Sequence, residues 1–433
     1  MRRRCFVIII AFLVGITLVL GASAQQQQLI VRDRLGIAHL TVLCPVLGCN
    51  VVRGLGDPQG QVFLVVPTGI SLNTLLQLLL AEVGIVDAEV DQLLSLETPS
   101  LSFIPDGLSD TVPVNYYGTS VWDGYVNQPA NLIVRTAETQ SQFQVSGSGI
   151  VAIIDTGLDP RHPALAPVVL PGYDFTRNTT GADETGDLDH STAAVLDSGG
   201  GTTPIYVTPW LAAVVAPAGA RALDVPQYAA FGHGTMTAGI VHMVAPTAQI
   251  LPLKAFSSDG TGYLSNILRA IYFAGSQGSK VVSMSFSFST DSTEMDKAIR
   301  YLNSRGIISV ASAGNDGQEI MVYPASLPNA MGVASTSDAD TRSSFSNYGS
   351  QVVWVAAPGE NIISTFPYDN YASGSGTSFS APFVSGTAAL LVNANPNVNQ
   401  STAAAAIAHA KYISTDLNHG RLDTYLALGS LSK

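Results

Sequence analysis

Three short segments of this chain each place one reactive side chain beside glycine: Asp155-Thr156-Gly157, Gly232-His233-Gly234-Thr235 and Gly376-Thr377-Ser378. A serine hydroxyl is a weak nucleophile until a neighbouring base takes its proton, and a carboxylate commonly orients that base. The chain order acid, histidine, serine is one of three orders in which this constellation occurs on unrelated folds. The segments therefore predict a hydrolase in which Ser378 attacks, His233 transfers the proton and Asp155 holds the histidine.

The longer sequences around these residues are more specific: AIIDTGLD followed by His162-Pro163, then GHGTMTAG, then GTSFSAPFVSG. In this order they resemble the motifs of the subtilisin-like serine proteases (subtilases), over roughly the last three quarters of the chain. The resemblance implies an endopeptidase that cleaves protein or peptide substrates through an acyl-enzyme. It also implies that Asn315, in ASAGN, is the oxyanion asparagine, which acts together with the backbone N–H of Ser378.

The same resemblance implies two extended edges beside the cleft, where a peptide substrate adds as a further strand. The residues of these edges are Gly260, Thr261, Gly262, Ser285, Phe286 and Ser287. The family commonly has glycine at the position of Ser287, so we expect a narrower or more polar specificity pocket. An aspartate that helps bind calcium in many subtilisins is replaced by Ala164, so we expect that site to be absent. No cofactor is expected to be required and no metal ligands are assigned, although calcium binding elsewhere in the chain is left open.

Hydrophobic runs alternate with helical patterns from Tyr116 onward. Continuous apolar runs are typical of parallel strands covered on both faces, and they cover residues 149–154, 280–286, 307–311 and 352–356. Helical patterns lie at residues 263–276, 293–303, 378–393 and 401–410. This alternation predicts an α/β fold with a doubly wound, mainly parallel sheet, whose functional groups gather at the carboxyl ends of the strands.

The first part of the chain predicts a leader and a small module. Residues 1–24 combine a basic start, an apolar run and a small-residue cleavage site, which indicates a secretory signal peptide and a secreted protein. Residues 25–98 predict an α+β module, placed before the protease-like region as the propeptide of a secreted subtilase is. Such a propeptide assists folding and then blocks the cleft. A binding domain kept in the mature protein is the alternative.

Within this module we predict a strand at Val62–Val66, a helix that Ser71 caps and Gly84 ends, and a strand over Val86–Leu96. Residues 99–115 have the composition of a linker and are expected to contain or adjoin the processing site. Residues 116–433 are predicted to form the catalytic domain.

The remaining cysteines and the long stretch between Asp155 and His233 leave alternatives open. Cys44 and Cys49 form either a disulfide that pins a small turn or two free thiols. The long stretch contains an acidic segment, for which a solvated loop is expected rather than a cation site. It also contains an apolar segment over Ile205–Val215, including Trp210, which is expected to be a packed insertion; a rim of the cleft and a contact with the propeptide are the alternatives. The acidic residues are Asp183, Glu184, Asp187 and Asp189.

The formal charge of −12 argues against nucleic acid or an acidic membrane as a partner. We expect a monomer whose partners are its own propeptide and peptide substrates. One rival function is a non-catalytic binding protein that kept the fold, which would not need all of the reactive side chains. The other is an α/β-hydrolase esterase, but that class places its serine before its histidine in a Gly-x-Ser-x-Gly elbow.

Overall fold

The computed structural model describes residues 27–96, 104–197, 204–205, 211–215 and 223–431, of which 204–205 and 211–215 are described by their backbone alone. The predicted signal peptide, Trp210 and residues 99–103 lie outside this part of the chain. Among the described helices, none combines the length and the apolar character that crossing a membrane would require.

The first described residues form a separate α+β module with its own small core. Its elements are β1 (Leu29–Asp33), α1 (Ile37–Leu47), β2 (Cys49–Gly54), β3 (Val62–Pro67), α2 (Leu72–Leu80), β4 (Ile85–Val90) and β5 (Leu93–Ser95). Strands β1 to β4 form an antiparallel sheet in the order β2-β3-β1-β4. The Oγ of Ser71 accepts the N–H of Thr74, as expected of an N-cap.

Three details of the module differ from the sequence expectations or settle them. Helix α2 ends at Leu80 rather than at Gly84, because the N–H of Ala81 bonds to the preceding carbonyls and closes the last turn. The predicted second strand is divided into β4 and β5. The two cysteines, Cys44 in α1 and Cys49 at the start of β2, form a disulfide.

A hairpin and three short helices follow the module and contribute buried side chains to the core of the main body. They are β6 (Pro113–Tyr116), β7 (Thr119–Trp122), α3 (Asp123–Val126), α4 (Pro129–Ile133) and α5 (Thr136–Phe143). Part of the predicted linker is therefore packed structure, since residues 106–109 form a 3-10 helix and Leu108 is fully buried.

The main body contains the remaining strands and helices. The first of them are β8 (Ile150–Asp155), β9 (Tyr173–Asp174), β10 (Thr179–Thr180), α6 (His190–Asp197), β11 (Pro204–Ile205), β12 (Leu211–Val215), α7 (His233–Val244), β13 (Gln249–Lys254), β14 (Thr261–Tyr263) and α8 (Leu264–Ser276). They are followed by β15 (Val281–Met284), α9 (Thr293–Ser304), β16 (Ile308–Ser312), β17 (Met331–Thr336), β18 (Val355–Pro358), β19 (Ile362–Phe366), β20 (Asn370–Gly374), α10 (Thr377–Ala394), α11 (Gln400–Ile407) and α12 (Thr424–Ser430).

Eight of these strands form one sheet in the order β10-β9-β13-β8-β15-β16-β17-β18. All of its pairs are parallel except β10–β9. The chain moves from β8 to one side of the sheet for β13 and to the other side for β15. The carboxyl end of β8 is thus a topological switch point, where α/β proteins place their functional sites. The predicted α/β fold is confirmed.

Two helices, α7 and α10, pack against each other, and both contact β8, the strand that ends at this switch point. Every residue of α7 is buried, and so are the first sixteen residues of α10 (Thr377–Val392). A helix that is apolar on all sides belongs in the interior of a large domain. These two buried helices hold the residues at their amino ends firmly in place.

The insertion between Asp155 and His233 is built into the fold. Residues Glu184–Asp187 form a 3-10 helix in which Glu184 is fully buried, so the expectation of a solvated acidic loop is wrong for this part. The predicted apolar segment supplies β12, which pairs with β20, and β11, which pairs with β12.

Candidate active site

Asp155 is the last residue of β8 and is buried at the switch point. Its Oδ1 accepts the backbone N–H of Thr156 at 2.7 Å and lies 2.7 Å from Nδ1 of His233. Its Oδ2 accepts the hydroxyl of Thr237 at 3.2 Å. The carboxylate is thus held on both oxygens, with one of them directed at the imidazole. Thr237 was not predicted, although its place one turn after His233 in the same motif was the available signal.

His233 is the first residue of α7 and is 2 % exposed. Gly232 and Gly234, on either side of His233, allow the start of α7 to approach neighbouring residues closely. A Cβ on Gly232, which has φ +87°, would lie 2.1 Å from the ring of Phe366. A Cβ on Gly234 would lie 1.8 Å from the carbonyl oxygen of Gly157. The second glycine therefore brings the histidine segment directly against the aspartate segment.

The hydrogen bond to Asp155 defines the chemistry of the imidazole. An ionised carboxylate only accepts hydrogen bonds, so Nδ1 carries the proton and Nε2 is the basic nitrogen. The imidazole ring lies 5.6 Å from the ring of Phe379, measured between centroids. His233 is therefore beside the first turn of α10, which contains Ser378.

Ser378 is the second residue of α10 and is 5 % exposed. Its Oγ donates to the carbonyl of Ser285 at 3.1 Å, and the Oγ of Ser285 donates to the carbonyl of Ser378 at 2.9 Å. Pro382 lacks the N–H that a helix would normally offer to the carbonyl four residues earlier. The hydroxyl of Ser285 takes the place of that donor and ties the proposed nucleophile to the end of β15.

Asn315 lies in the loop after β16 and points its amide oxygen at the start of α10. Its Oδ1 accepts the backbone N–H of Thr377 at 2.9 Å and the hydroxyl of Thr377 at 3.0 Å. These two hydrogen bonds fix the orientation of the amide group, whose nitrogen is its donor. The fold thus brings Asn315 and Ser378, which are separated by β17 to β20, to the same helix end.

One predicted substrate edge contacts the amino-terminal module, and the other contacts the segment of Ser378. Thr261 and Gly262 belong to β14, which pairs with β5 of the amino-terminal module. The N–H of Leu96 also donates to the carbonyl of Gly260 at 2.9 Å. Ser285 contacts Ser378, Phe286 packs on Phe256 with 5.2 Å between ring centroids, and Ser287 lies against the loop at Gly314.

The module is attached to the main body by buried polar contacts as well as by this strand. Arg32 donates from two nitrogens to Glu294 on α9, at 2.8 and 2.6 Å. Asp91 accepts the N–H and the hydroxyl of Ser265 at 2.8 and 2.7 Å. Leu94 and Leu96 are buried in the same hydrophobic cluster as residues of the main sheet. None of these pairings was predicted.

Ala164 and two of the other histidines, His162 and His242, lie in the interior. Within the described residues, no group of histidine, cysteine, aspartate and glutamate is arranged to hold a metal ion. Ala164 is fully buried. Burial lowers the pKa of His162 and of His242 to about 4, so both are neutral structural residues at physiological pH.

Comparisons with known proteins bear on the family and the fold of the chain. Residues 147–429 match the Subtilase family. The chain is 36 % identical to thermitase of Thermoactinomyces vulgaris over 269 residues, which is 60 % of this chain and 80 % of thermitase. It is 38 % identical to subtilisin BL of Lederbergia lenta over 175 residues, which is 38 % of this chain and 65 % of that protein.

Two solved structures are also similar. A cold adapted subtilisin-like serine proteinase is matched with a TM-score of 0.51 and 25 % identity, over 65 % of this chain and 89 % of that one. A lanthipeptide protease is matched with a TM-score of 0.54 and 20 % identity, over 69 % of this chain and 94 % of that one. The second likeness concerns the fold alone.

Proposed function

The chain belongs to the subtilase family of serine-type peptidases, and on this basis we propose that it is a secreted serine endopeptidase made as a self-processing precursor. The observation that carries the proposal is the 2.7 Å hydrogen bond between Asp155 and His233, made beside the helix end that contains Ser378. The secretory part of the proposal is supported by the sequence of residues 1–24.

The proposed reaction begins when Ser378 Oγ attacks the scissile carbonyl and Nε2 of His233 takes its proton. Asp155 stabilises the resulting imidazolium through Nδ1–H. Asn315 and the backbone N–H of Ser378 donate to the oxyanion, at a helix amino end that favours negative charge. His233 then protonates the leaving amine, and water releases the acyl group from Ser378 by the same proton transfers in reverse.

The pairing of β5 with β14 supports the precursor part of the proposal. Leu93–Ser95 lie antiparallel to Thr261–Tyr263, which is the edge expected to bind substrate. A substrate strand would pair with the same edge, which supports the proposal that the module blocks the cleft. We propose that the chain cleaves itself within residues 99–115 or shortly after them, and that the module then inhibits the enzyme until it is removed.

Substitution of the proposed nucleophile tests both parts. Ser378→Ala is expected to abolish labelling by a fluorophosphonate, hydrolysis of a peptide ester and conversion of the precursor. The wild-type chain should give two fragments, and amino-terminal sequencing of the larger one identifies the cleaved bond.

Ser380→Ala is the matched control. Ser380 lies in the same helical turn, is buried, and its hydroxyl has no hydrogen-bond partner within the described residues. This variant should be labelled and processed like the wild type. Labelling of the Ser378→Ala protein at another serine, with peptidase activity retained, would refute the assignment.

A further inference from the structure

The 3-10 helix Glu184–Asp187 brings two carboxylates into the interior behind the proposed catalytic pair. Glu184 is fully buried, and the side chain of Asp187 is 5 % exposed. Neither group takes part in the mechanism proposed above. Both come from the acidic segment of the insertion, for which the sequence indicated only a solvated loop.

The carboxylate of Glu184 is surrounded by hydrogen-bond donors. Oε2 accepts the hydroxyl of Thr156 at 2.8 Å and the backbone N–H of Gly232 at 3.0 Å. Oε1 accepts both the backbone N–H, at 3.0 Å, and the hydroxyl of Thr235. Thr156 follows Asp155 in the chain, whereas Gly232 and Thr235 flank His233. One side chain therefore joins the segment of the acid to the segment of the base.

Thr156 is held from a second direction. Its hydroxyl accepts the backbone N–H of Gly234 at 2.9 Å while it donates to Glu184. Its carbonyl accepts the buried ammonium of Lys254 at 2.7 Å, and Asp187 pairs with the same ammonium at 2.7 Å. Glu184 thus holds the hydroxyl of Thr156 directly, and Asp187 holds the ammonium of Lys254 that donates to the carbonyl of Thr156.

We propose that Glu184 is a positioning residue for the Asp155–His233 pair: it fixes Thr156 and the first turn of α7 relative to each other, so that the hydrogen bond between acid and base is preformed. This inference rests on the proposed peptidase function. A displacement of about 1 Å at reacting groups can lower a rate on the order of 100-fold, so a group that maintains this geometry affects turnover without touching substrate.

An amide in place of the carboxylate cannot satisfy the same donors. A glutamine has one accepting oxygen and one NH₂ group. If its NH₂ replaces Oε2, it faces the N–H of Gly232; if it replaces Oε1, it faces the N–H of Thr235. Either orientation leaves a buried backbone donor unpaired. The size of the side chain is unchanged, so Glu184→Gln isolates the loss of accepting capacity.

The burial of Glu184 also indicates that this residue does more than occupy volume in the core. Burial raises the pKa of Glu184 to about 7, while the hydroxyls of Thr235 and Thr156, the charge of Lys254 and the N–H of Gly232 act to lower it. A buried ionisable group is often less stable than an apolar side chain of similar volume. Its donors, rather than its volume, explain its place here.

The test is a comparison of kcat and KM on a peptide substrate for two charge-removing variants of neighbouring residues. Glu184→Gln is expected to lower kcat about 10- to 100-fold with little change in KM. Asp183→Asn is the control: the Asp183 side chain is 41 % exposed and caps the 3-10 helix by accepting the N–H and the hydroxyl of Thr185, which asparagine can also do. It should keep the wild-type kcat.

A second pair of variants keeps the test decisive if Glu184→Gln does not fold. Thr156→Val removes the hydroxyl that links Glu184 to Gly234 and should lower kcat as Glu184→Gln does, whereas Thr156→Ser should recover most of the loss. Wild-type kcat in both Glu184→Gln and Thr156→Val would overturn the inference and leave the proposed function standing. Absence of activity in the wild type would instead refute the proposed function. A failure of Glu184→Gln to fold leaves the decision to the threonine pair.

Discussion

At the scale of single residues, the oxyanion side of the proposed site depends on how Thr377 orients Asn315. Both the N–H and the hydroxyl of Thr377 donate to Oδ1 of Asn315. If the amide were rotated by half a turn, its NH₂ group would face these two donors. The loop at Gly314 is held as well, since its N–H donates to the hydroxyl of Thr377 at 3.2 Å. The orientation of the amide is therefore fixed before substrate arrives, as electrostatic preorganisation requires.

We predict that Asn315→Ala lowers kcat by about 100- to 1000-fold with little effect on KM. The donor is needed most when negative charge develops on the oxygen, so the loss belongs to the transition state. Steady-state kinetics on a peptide ester measure both constants. An unchanged kcat with a raised KM would assign Asn315 to substrate binding instead.

At the scale of elements, the contacts that hold the module include the pairing of β5 with β14 and a buried ion pair on α9. The strand pairing uses backbone groups and is therefore insensitive to the sequence of the module. The pair between Arg32 and Glu294 is bidentate, and both side chains are largely buried. Lys297 also donates to Glu294 at 2.9 Å. The ion pair makes the docking specific, because a module without the arginine would leave a buried carboxylate poorly compensated.

We predict that Arg32→Ala, introduced into the Ser378→Ala precursor, destabilises the docked module by about 3 kcal/mol. Denaturant unfolding of the intact precursor measures the change. Arg34→Ala is the matched control, since Arg34 lies two residues further and is exposed. Replacing Glu294 as well should recover part of the loss. Equal effects of the Arg32 and Arg34 variants would contradict the role given to the ion pair.

At the scale of the whole molecule, the interface between module and main body contains two carboxyl groups, Glu89 and Asp91, whose pKa values are raised. The pKa of Glu89 is raised to about 7, mainly by burial and also by the charges of Asp87 and Glu294, against the hydrogen bond from the hydroxyl of Ser292. Burial raises the pKa of Asp91 to about 6, against the hydrogen bonds from Ser265. Two cations also face this region, since Lys297 lies 3.6 Å from Asp87 and Arg32 pairs with Glu294.

The sign of the pH dependence follows from these raised values. Below the ordinary range of carboxyl pKa values both groups are protonated whether the module is docked or released, so docking is then strongest. As the pH rises through about 6 and 7, the docked groups lose their protons at a cost in free energy that the released groups do not bear. Docking therefore weakens from acid to neutral pH.

We predict that the affinity of the processed module for the main body falls between about pH 4 and pH 7 and then levels off, by at most about tenfold per pH unit for each carboxyl. Size-exclusion chromatography of the processed complex at each pH measures the fraction still bound. The double variant Glu89→Gln, Asp91→Asn should bind with much less dependence on pH. Tighter binding at pH 8 than at pH 5 in the wild type would refute the prediction.

Local features of the chain were enough to predict much of this protein. The cap at Ser71, the apolar runs of β8 and β16, and the glycine-flanked segments of Asp155, His233 and Ser378 depend on neighbours in sequence, and a motif displays such neighbours directly. Strand β13 was missed because it contains Pro252, which usually argues against a central strand. In the structure β9 pairs with β13 only at Leu253 and Lys254, so the missing N–H of Pro252 is not needed there.

The sequence by itself determined the family, the α/β alternation and the residues with the right chemistry, because each is encoded in short stretches of residue type and spacing. Only the tertiary structure decided that Glu184 is buried, that Cys44 bonds to Cys49, and that β5 pairs with β14. The sequence shows a glutamate in the same way whether its side chain lies in a solvated loop or in a buried hydrogen-bond network. What distinguishes the two is the set of donors around it, and here those donors come from segments that meet Glu184 only when the chain is folded.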